Sequence, residues 1–171
     1  ILTQGCTSLF ASPALLRTLG RWGHETGTTL PPLRRVMSSG APARREPLEQ
    51  ITGMLTGGAQ LFTPYGATEV LPVANIGSDE LLGSAYAQTA KGAGICVGKP
   101  VDGATVRVIR ITDDAIERWS DDLMVPGGEI GEITVKARQV TRTYWGRPQQ
   151  TAEAKIADGD EIVHRMGDVG Y

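Results

Sequence analysis

Cysteine is scarce in this chain of 171 residues: Cys6 and Cys96 are the only two, too few and too far apart for the framework of a small secreted domain or for a zinc site. A reducing, cytoplasmic compartment is the expectation, with both thiols buried or inert. Aromatic residues make up only 5%, which argues against a stacking platform for single-stranded nucleic acid. Neither sign of charge is in excess, since 17 Lys and Arg face 19 Asp and Glu for a formal net charge of -2. Such a balance exerts no general pull on nucleic acid or an anionic membrane, so an anionic ligand has to be held locally. No apolar run reaches the roughly 18 residues that a membrane helix needs. The start, Ile1-Leu2-Thr3-Gln4, carries neither an initiator Met nor the basic region of a signal peptide. With the abrupt end at Gly170-Tyr171, this suggests a segment of a longer polypeptide, without the N- and C-terminal parts of its parent.

What is present describes an ordinary globular protein, with 40% hydrophobic and 21% charged residues, long enough for one compact unit or two small lobes. Glycine is in excess, at 22 residues against a usual share of about 7%, and implies many tight turns or close backbone approaches.

Ser12-Pro13 followed by Ala14, Leu15, Leu16, Leu19 and Trp22 gives a cap, a first-turn proline and helical spacing, predicting a helix over about 12–25. Leu33 to Met37 predicts a strand, and Ser38 to Pro42 a turn into a second helix carrying Leu48, Ile51, Met54 and Leu55. Gln60 to Thr63 predicts the next strand, delivered into a loop over 64–69. This alternation implies parallel βα units, in which ligands sit beyond the strands' carboxyl ends. After Lys91-Gly92-Ala93-Gly94 the pattern changes. Residues 104–111 and 129–136 alternate apolar and polar as half-buried strands do, and antiparallel pairing of the two is expected. Asp113-Asp114 and Asp121-Asp122 fall in a polar excursion between them. Residues 151–155 suit a short helix and 161–164 a last strand.

Tyr65-Gly66-Ala67-Thr68-Glu69 combines the parts of a nucleotide loop: Gly66 admits a phosphate near the backbone, Thr68 donates to it, and Glu69 can hold Mg²⁺. Three further segments stand in order around it: Ser39-Gly40-Ala41-Pro42, Gly131-Glu132-Ile133 with Tyr144-Trp145 downstream, and Gly167-Asp168. Together they resemble the AMP-forming acyl-adenylate superfamily of acyl-CoA synthetases, luciferases and peptide-synthetase adenylation domains. Gly98-Lys99-Pro100 looks like that family's Gly-x-Pro turn and Tyr144 to Pro148 like its Gly-Tyr-x-x-x-Pro segment. The resemblance covers essentially the whole chain.

The resemblance implies an ATP-dependent enzyme in which Ser39, Gly40, Ala41 and Pro42 border the adenine and acyl pocket and Tyr65 stacks on adenine. Gly66, Ala67 and Thr68 lie along the nucleotide, with Thr68 bonding the phosphate, Glu69 holding magnesium, and Asp168 taking both ribose hydroxyls. Thr68 and Glu69 are the expected catalytic pair and Glu69 the expected metal ligand. The family's phosphate loop with its lysine is not found here, nor is its small C-terminal domain, so this segment alone is expected to be inactive. Met166 and Lys136-Ala137 stand where the family has Thr and an Arg-Gly pair.

Within the superfamily, Tyr65 to Val73 and His164 to Tyr171 look like the bacterial β-lactone synthetases of long-chain olefin biosynthesis. That implies adenylation of a fatty-acyl acid, a 2-alkyl-3-hydroxy acid whose own hydroxyl then closes the lactone. A long-chain fatty acid CoA ligase, with CoA as second substrate, is the first alternative, and a non-catalytic nucleotide-binding module the second. Plainer roles exist for single residues: a helix cap for Glu69, a turn for Asp168, surface or packing positions for His24 and His164 and a solvated Lys99. The expected architecture is α/β over 1–94, with the adenine and phosphate loops, and an antiparallel, barrel-like β subdomain over 95–171 ending at the ribose loop.

Overall fold

The computed structural model describes residues 1–42 and 44–171. Its contacts divide the chain into two compact units: Ile1–Tyr65 with Asn75–Lys99, and Gly66–Ala74 with Pro100–Tyr171. The second unit thus begins five residues later than the sequence suggests and takes in the segment 66–74.

In the first unit, β1 (Ser8–Ala11), β2 (Arg35–Ser38) and β3 (Gln60–Phe62) form a parallel sheet in that order. The connections are α1 (Pro13–Thr26) and α2 (Arg45–Gly53), so the predicted βα units are present. Ser12 caps α1 by accepting from Leu15 N at 3.4 Å, Pro13 opens its first turn, and Gly27 closes it in the left-handed region at φ 65°. The apolar stripe that predicted this helix puts Leu16 inside, while Leu48 and Ile51 are the buried face of α2. They join Leu30, Leu33, Val36, Met54, Leu61 and Ile76 in one core cluster.

Four elements of this unit have no counterpart in the sequence reading. β1 is a short strand of four residues preceding the first cap. Residues 78–89 form α3 (Ser78–Glu80), a π-helical segment Leu81–Ala85 and α4 (Tyr86–Thr89). Their periodicity is interrupted at Gly83, which leaves the helical region with ψ at -105°, and each piece is too short to carry a full amphipathic repeat.

The predicted loop over 64–69 is shorter than expected. Tyr65–Ala67 is a strand, β4, and Thr68-Glu69 is the turn that joins it to β5 (Val70–Asn75), an unpredicted strand. With β6 (Lys99–Pro100) they form a three-stranded sheet in the order β4-β5-β6. Proline inside β5 obscured its strand signal.

The second unit is built on an antiparallel sheet of β7 (Thr105–Ile109), β8 (Gly131–Lys136), β10 (Glu161–Gly170) and β9 (Lys155–Asp158), in the order β7-β8-β10-β9. The expected pairing of the two alternating segments is the β7/β8 ladder, with Val106 opposite Val135. α5 (Pro148–Ala154) leads into β9. Ile109, Ile156 and Val163 form a small core under Ile116, Trp119 and Leu123. Asp121-Asp122 is an exposed single turn, as a solvated loop should be. The cysteines depart from expectation: Cys6 is half-buried and Cys96 exposed. Among the described residues no helix is long and apolar enough to cross a membrane.

Candidate functional site

Of the residues singled out in the sequence, Ser39, Gly40, Ala41, Pro42 and Tyr65 belong to the first unit; Gly66, Ala67, Thr68, Glu69 and Asp168 belong to the second. Ser39 to Pro42 follow the carboxyl end of β2, the position where open α/β sheets meet ligands. Ser39 is half-buried and the other three are exposed. Pro42 also lines a cavity of about 140 Å³ with Pro13, Arg17, Ser38 and Arg44. Tyr65 is half-buried at the start of β4.

In the second unit, the hairpin explains the composition of the expected nucleotide loop. A Cβ on Gly66 would stand 2.6 Å from Val70 O and 2.8 Å from a Leu71 methyl carbon, closer than real side chains come, so only glycine lets the strands approach there. Thr68 and Glu69 follow at the tip, Thr68 exposed and Glu69 half-buried.

Glu69 is held at both ends. Its main-chain carbonyl accepts from Thr141 N at 2.9 Å, and its carboxylate Oε1 accepts from Tyr144 Oη at 2.6 Å. The phenol bond is the main reason that the Glu69 carboxyl lies below the ordinary range; burial opposes it, and the charges of His164 and Lys155 add to the lowering. Burial and the same bond push the Tyr144 phenol up to about 12. Lys155 is buried, donates to Thr141 Oγ1 at 3.1 Å and lies 5.5 Å from the centre of the Tyr144 ring. Its burial lowers the ammonium pKa, against a raising effect from Glu69. His164 is buried, with Nδ1 donating to Ala154 O at 3.0 Å, a packing position as the sequence suggested. Burial, followed by the Lys155 charge, lowers its pKa.

Asp168 lies in β10 where the ladder with β8 is irregular. Arg165 pairs with Thr134 and Val169 with Glu132, so β10 carries two extra residues across this stretch. Gly167 turns there with φ at 68° and Asp168 is exposed. The left-handed φ favours glycine beside the carboxylate.

Beneath this bulge is a pair that sequence reasoning missed. Arg165 Nε donates to both oxygens of Glu132, at 3.1 and 3.0 Å, and Nη2 to Oε2 at 2.7 Å, with both residues buried. Nη1 donates to Asp114 O at 2.8 Å and Glu153 O at 3.1 Å, and Nη2 to Thr112 O at 2.5 Å. The guanidinium thus ties β8 and β10 to α5 and to the 112–114 segment. Over it opens a cleft of about 620 Å³, lined also by Tyr144, Arg147 and Gly167. The period-2 alternation of β8 sets Glu132 with Thr134 on the polar side of the strand, opposite Ile133 and Val135, and so gives no sign of a buried carboxylate. Tyr144 was found as part of a motif, but its bond to Glu69, across 75 positions, left no local trace.

Among the described residues no group of three or more His, Cys, Asp or Glu lies together as a metal cage. A single ionised carboxylate that is already oriented fits a hard cation whose other ligands are phosphate oxygens and water, the habit of Mg²⁺ with nucleotides.

This chain is 47% identical to the olefin beta-lactone synthetase of Stenotrophomonas maltophilia and 46% identical to that of Xanthomonas campestris pv. campestris, in each case over 98% of the chain and 30% of the relative. It spans about 30% of the length of these curated relatives. The amide bond synthetase McbA from Marinactinospora thermotolerans superposes with a TM-score of 0.69 at 25% identity, over 98% of this chain and 30% of that one. The family model described as AMP-binding enzyme matches residues 1–145, and the chain accordingly belongs to the family of AMP-binding enzymes.

Proposed function

We propose that the intact protein containing this chain is an ATP-dependent, AMP-forming synthetase that activates a 2-alkyl-3-hydroxy fatty acid and closes it to a β-lactone. A substrate carboxylate oxygen attacks the α-phosphorus of ATP, pyrophosphate leaves, and the acyl adenylate results. The substrate's own β-hydroxyl oxygen then attacks the acyl carbon, AMP departs, and the hydroxyl proton is lost, so that the acid has shed one water overall. Holding hydroxyl and acyl carbon in one molecule supplies a high effective concentration and makes CoA unnecessary. The observation that carries this reading is the 46–47% identity to olefin beta-lactone synthetases along nearly the entire chain.

The residue roles follow the chemistry of the side chains. Glu69 remains ionised because the Tyr144 phenol stabilises its charged form, so it is ready as a ligand for Mg²⁺. The bound ion would neutralise charge on the nucleotide phosphates. Thr68, exposed at the hairpin tip, offers its hydroxyl to the α-phosphate. Asp168 accepts from the two ribose hydroxyls, Tyr65 packs on the adenine ring, and Ser39 to Pro42 with Gly66 and Ala67 border the nucleotide and acyl group. Asp168→Ala should weaken nucleotide binding by about 10–100-fold, the loss of hydrogen bonds to a charged acceptor; unaltered affinity by calorimetry would remove the ribose role.

Incubation of the intact protein with Mg-ATP and a 2-alkyl-3-hydroxy fatty acid, with and without CoA, tests the reaction by mass spectrometry. A product lighter by one water and formed without CoA is expected. A thioester that forms only with CoA would make the protein an acyl-CoA ligase, and the absence of any activated product would leave a nucleotide-binding module.

A further inference from the structure

A carboxylate offers a cation two oxygens, and in Glu69 one of them is already engaged. Tyr144 Oη donates to Oε1 at 2.6 Å, the short distance of a bond to a charged acceptor. The donor is itself braced. Tyr144 N donates to Thr151 Oγ1 at 3.0 Å, Lys155 Nζ stands 5.5 Å from the ring centre, and that ammonium is tied at 3.1 Å to Thr141, whose N–H holds the Glu69 carbonyl at 2.9 Å.

We propose that Tyr144 is a positioning residue that commits Glu69 to a divalent cation through Oε2 alone, and that this one-oxygen contact makes the site favour Mg²⁺ over Ca²⁺. The inference rests on the reading of Glu69 as the metal ligand. Mg²⁺ requires a near-ideal octahedron and keeps several waters, whereas Ca²⁺ accepts more ligands in looser geometry, bidentate carboxylates included. A phenol bonded to Oε1 takes one of that oxygen's two lone pairs and draws charge from it, which disfavours the chelate that would serve Ca²⁺ and leaves Oε2 for the single contact that suits Mg²⁺. Outer partners of this kind orient a ligand and tune its affinity for the metal.

The test uses the intact protein with a non-hydrolysable ATP analogue. Bound Mn²⁺ is read by electron paramagnetic resonance and displaced by Mg²⁺ or Ca²⁺. Tyr144→Phe deletes the hydroxyl and leaves the ring over Lys155 and the main-chain bond to Thr151. The preference for Mg²⁺ over Ca²⁺ should fall by about tenfold in this variant, within the range for lost outer partners. An unchanged ratio, even with both affinities weakened, would reduce Tyr144 to a packing residue and overturn the proposal. Glu69→Gln separates the two levels of the argument. If that variant holds Mn²⁺ as the unmodified protein does, the metal role of Glu69 fails and the inference falls with it. If it loses Mn²⁺ while Tyr144→Phe keeps its selectivity, the inference alone fails. Should Tyr144→Phe not fold, infrared difference spectra of unmodified protein with Mg²⁺ and the analogue, isotope-edited at glutamate and referenced to Glu69→Gln, report the coordination directly. A wide separation of the two carboxylate stretches is expected, and the narrow separation of a chelate would overturn the proposal.

Discussion

Leu30, Leu33, Val36, Leu48, Ile51 and Leu61 fill the interior of the first unit, and its buried polar side chains among the described residues are only Ser38 and Ser78. The second unit buries Glu132, Thr134, Lys155, His164 and Arg165 beside a smaller apolar set of Val70, Val73, Ala74, Ile109, Val135, Ile156 and Val163 among the described residues. A parallel sheet covered by helices needs continuous apolar burial. An antiparallel sheet can give part of one face to a polar network, provided that each member is satisfied. The contrast indicates a division of labour: the first unit is ordered by area removed from water, the second by apolar burial together with directional bonds that fix charged groups. Fixed charges are what phosphoryl chemistry requires.

The largest expected effect attacks that division at the proposed centre. In the intact protein, Glu69→Gln keeps the size and a hydrogen-bonding oxygen but removes the charge. ATP–pyrophosphate exchange should fall by at least about 100-fold, since loss of a direct ligand exceeds the loss of its outer partners. Exchange at the unmodified rate would mean that the ionic cluster of the second unit is scaffolding only.

Arg165→Met comes next and concerns stability. It strands a buried carboxylate, so local opening of β10, read by native-state hydrogen exchange, should become easier by roughly 3–5 kcal/mol. Replacing Glu132 by Met as well should recover part of that loss, because the stranded charge is removed while the carbonyls of Thr112, Asp114 and Glu153 still lack their donor. If the double variant stayed as unstable as the single, the pair would matter for geometry beyond its charge. In the first unit, Ile51→Val removes one methylene from a side chain with 0% exposure and should cost only about 0.5–1.5 kcal/mol. A larger loss there than at Arg165 would reverse the contrast.

The two units also differ in what the sequence discloses. The caps and 3.6-residue stripe of α1 are local signals, and its predicted and observed limits differ by one residue at either end. The β7/β8 pair was legible for the same reason, since alternation reports which face is buried. In the hairpin, β4 reads as part of a loop over 64–69 and β5 gives no strand signal, because short length and proline hide a strand, although the chemistry of the tip residues Thr68 and Glu69 singles them out. What no local pattern carries is the long-range network: Arg165 reaches Glu132 across 33 positions and Tyr144 reaches Glu69 across 75. A charged residue reads as solvent-exposed until a partner is known, so the polar interior of the second unit was invisible.

The smallest effect tests whether that interior stays closed to protons. Burial, then the neighbouring Lys155 ammonium, lowers the His164 pKa below its ordinary 6.5, so the fold binds the proton less readily than the unfolded chain does. Well above pH 6.5 both states are neutral and the contribution to stability is complete. As pH falls through 6.5 the unfolded chain protonates first and stability declines, at no more than about 1.4 kcal/mol per pH unit for one proton. The decline stops once the folded His164 also takes up its proton. Glu69, whose pKa is lowered from 4.5, loses its contribution only at lower pH, so the interval from about pH 6.5 to pH 5 reports on His164. His164→Asn retains an N–H for Ala154 O and removes the titration, and the exchange-derived stability of β10 should vary less across that interval than in the unmodified protein. An equal slope would show that His164 meets water in the fold, and the second unit would then be a solvated network in place of a closed one.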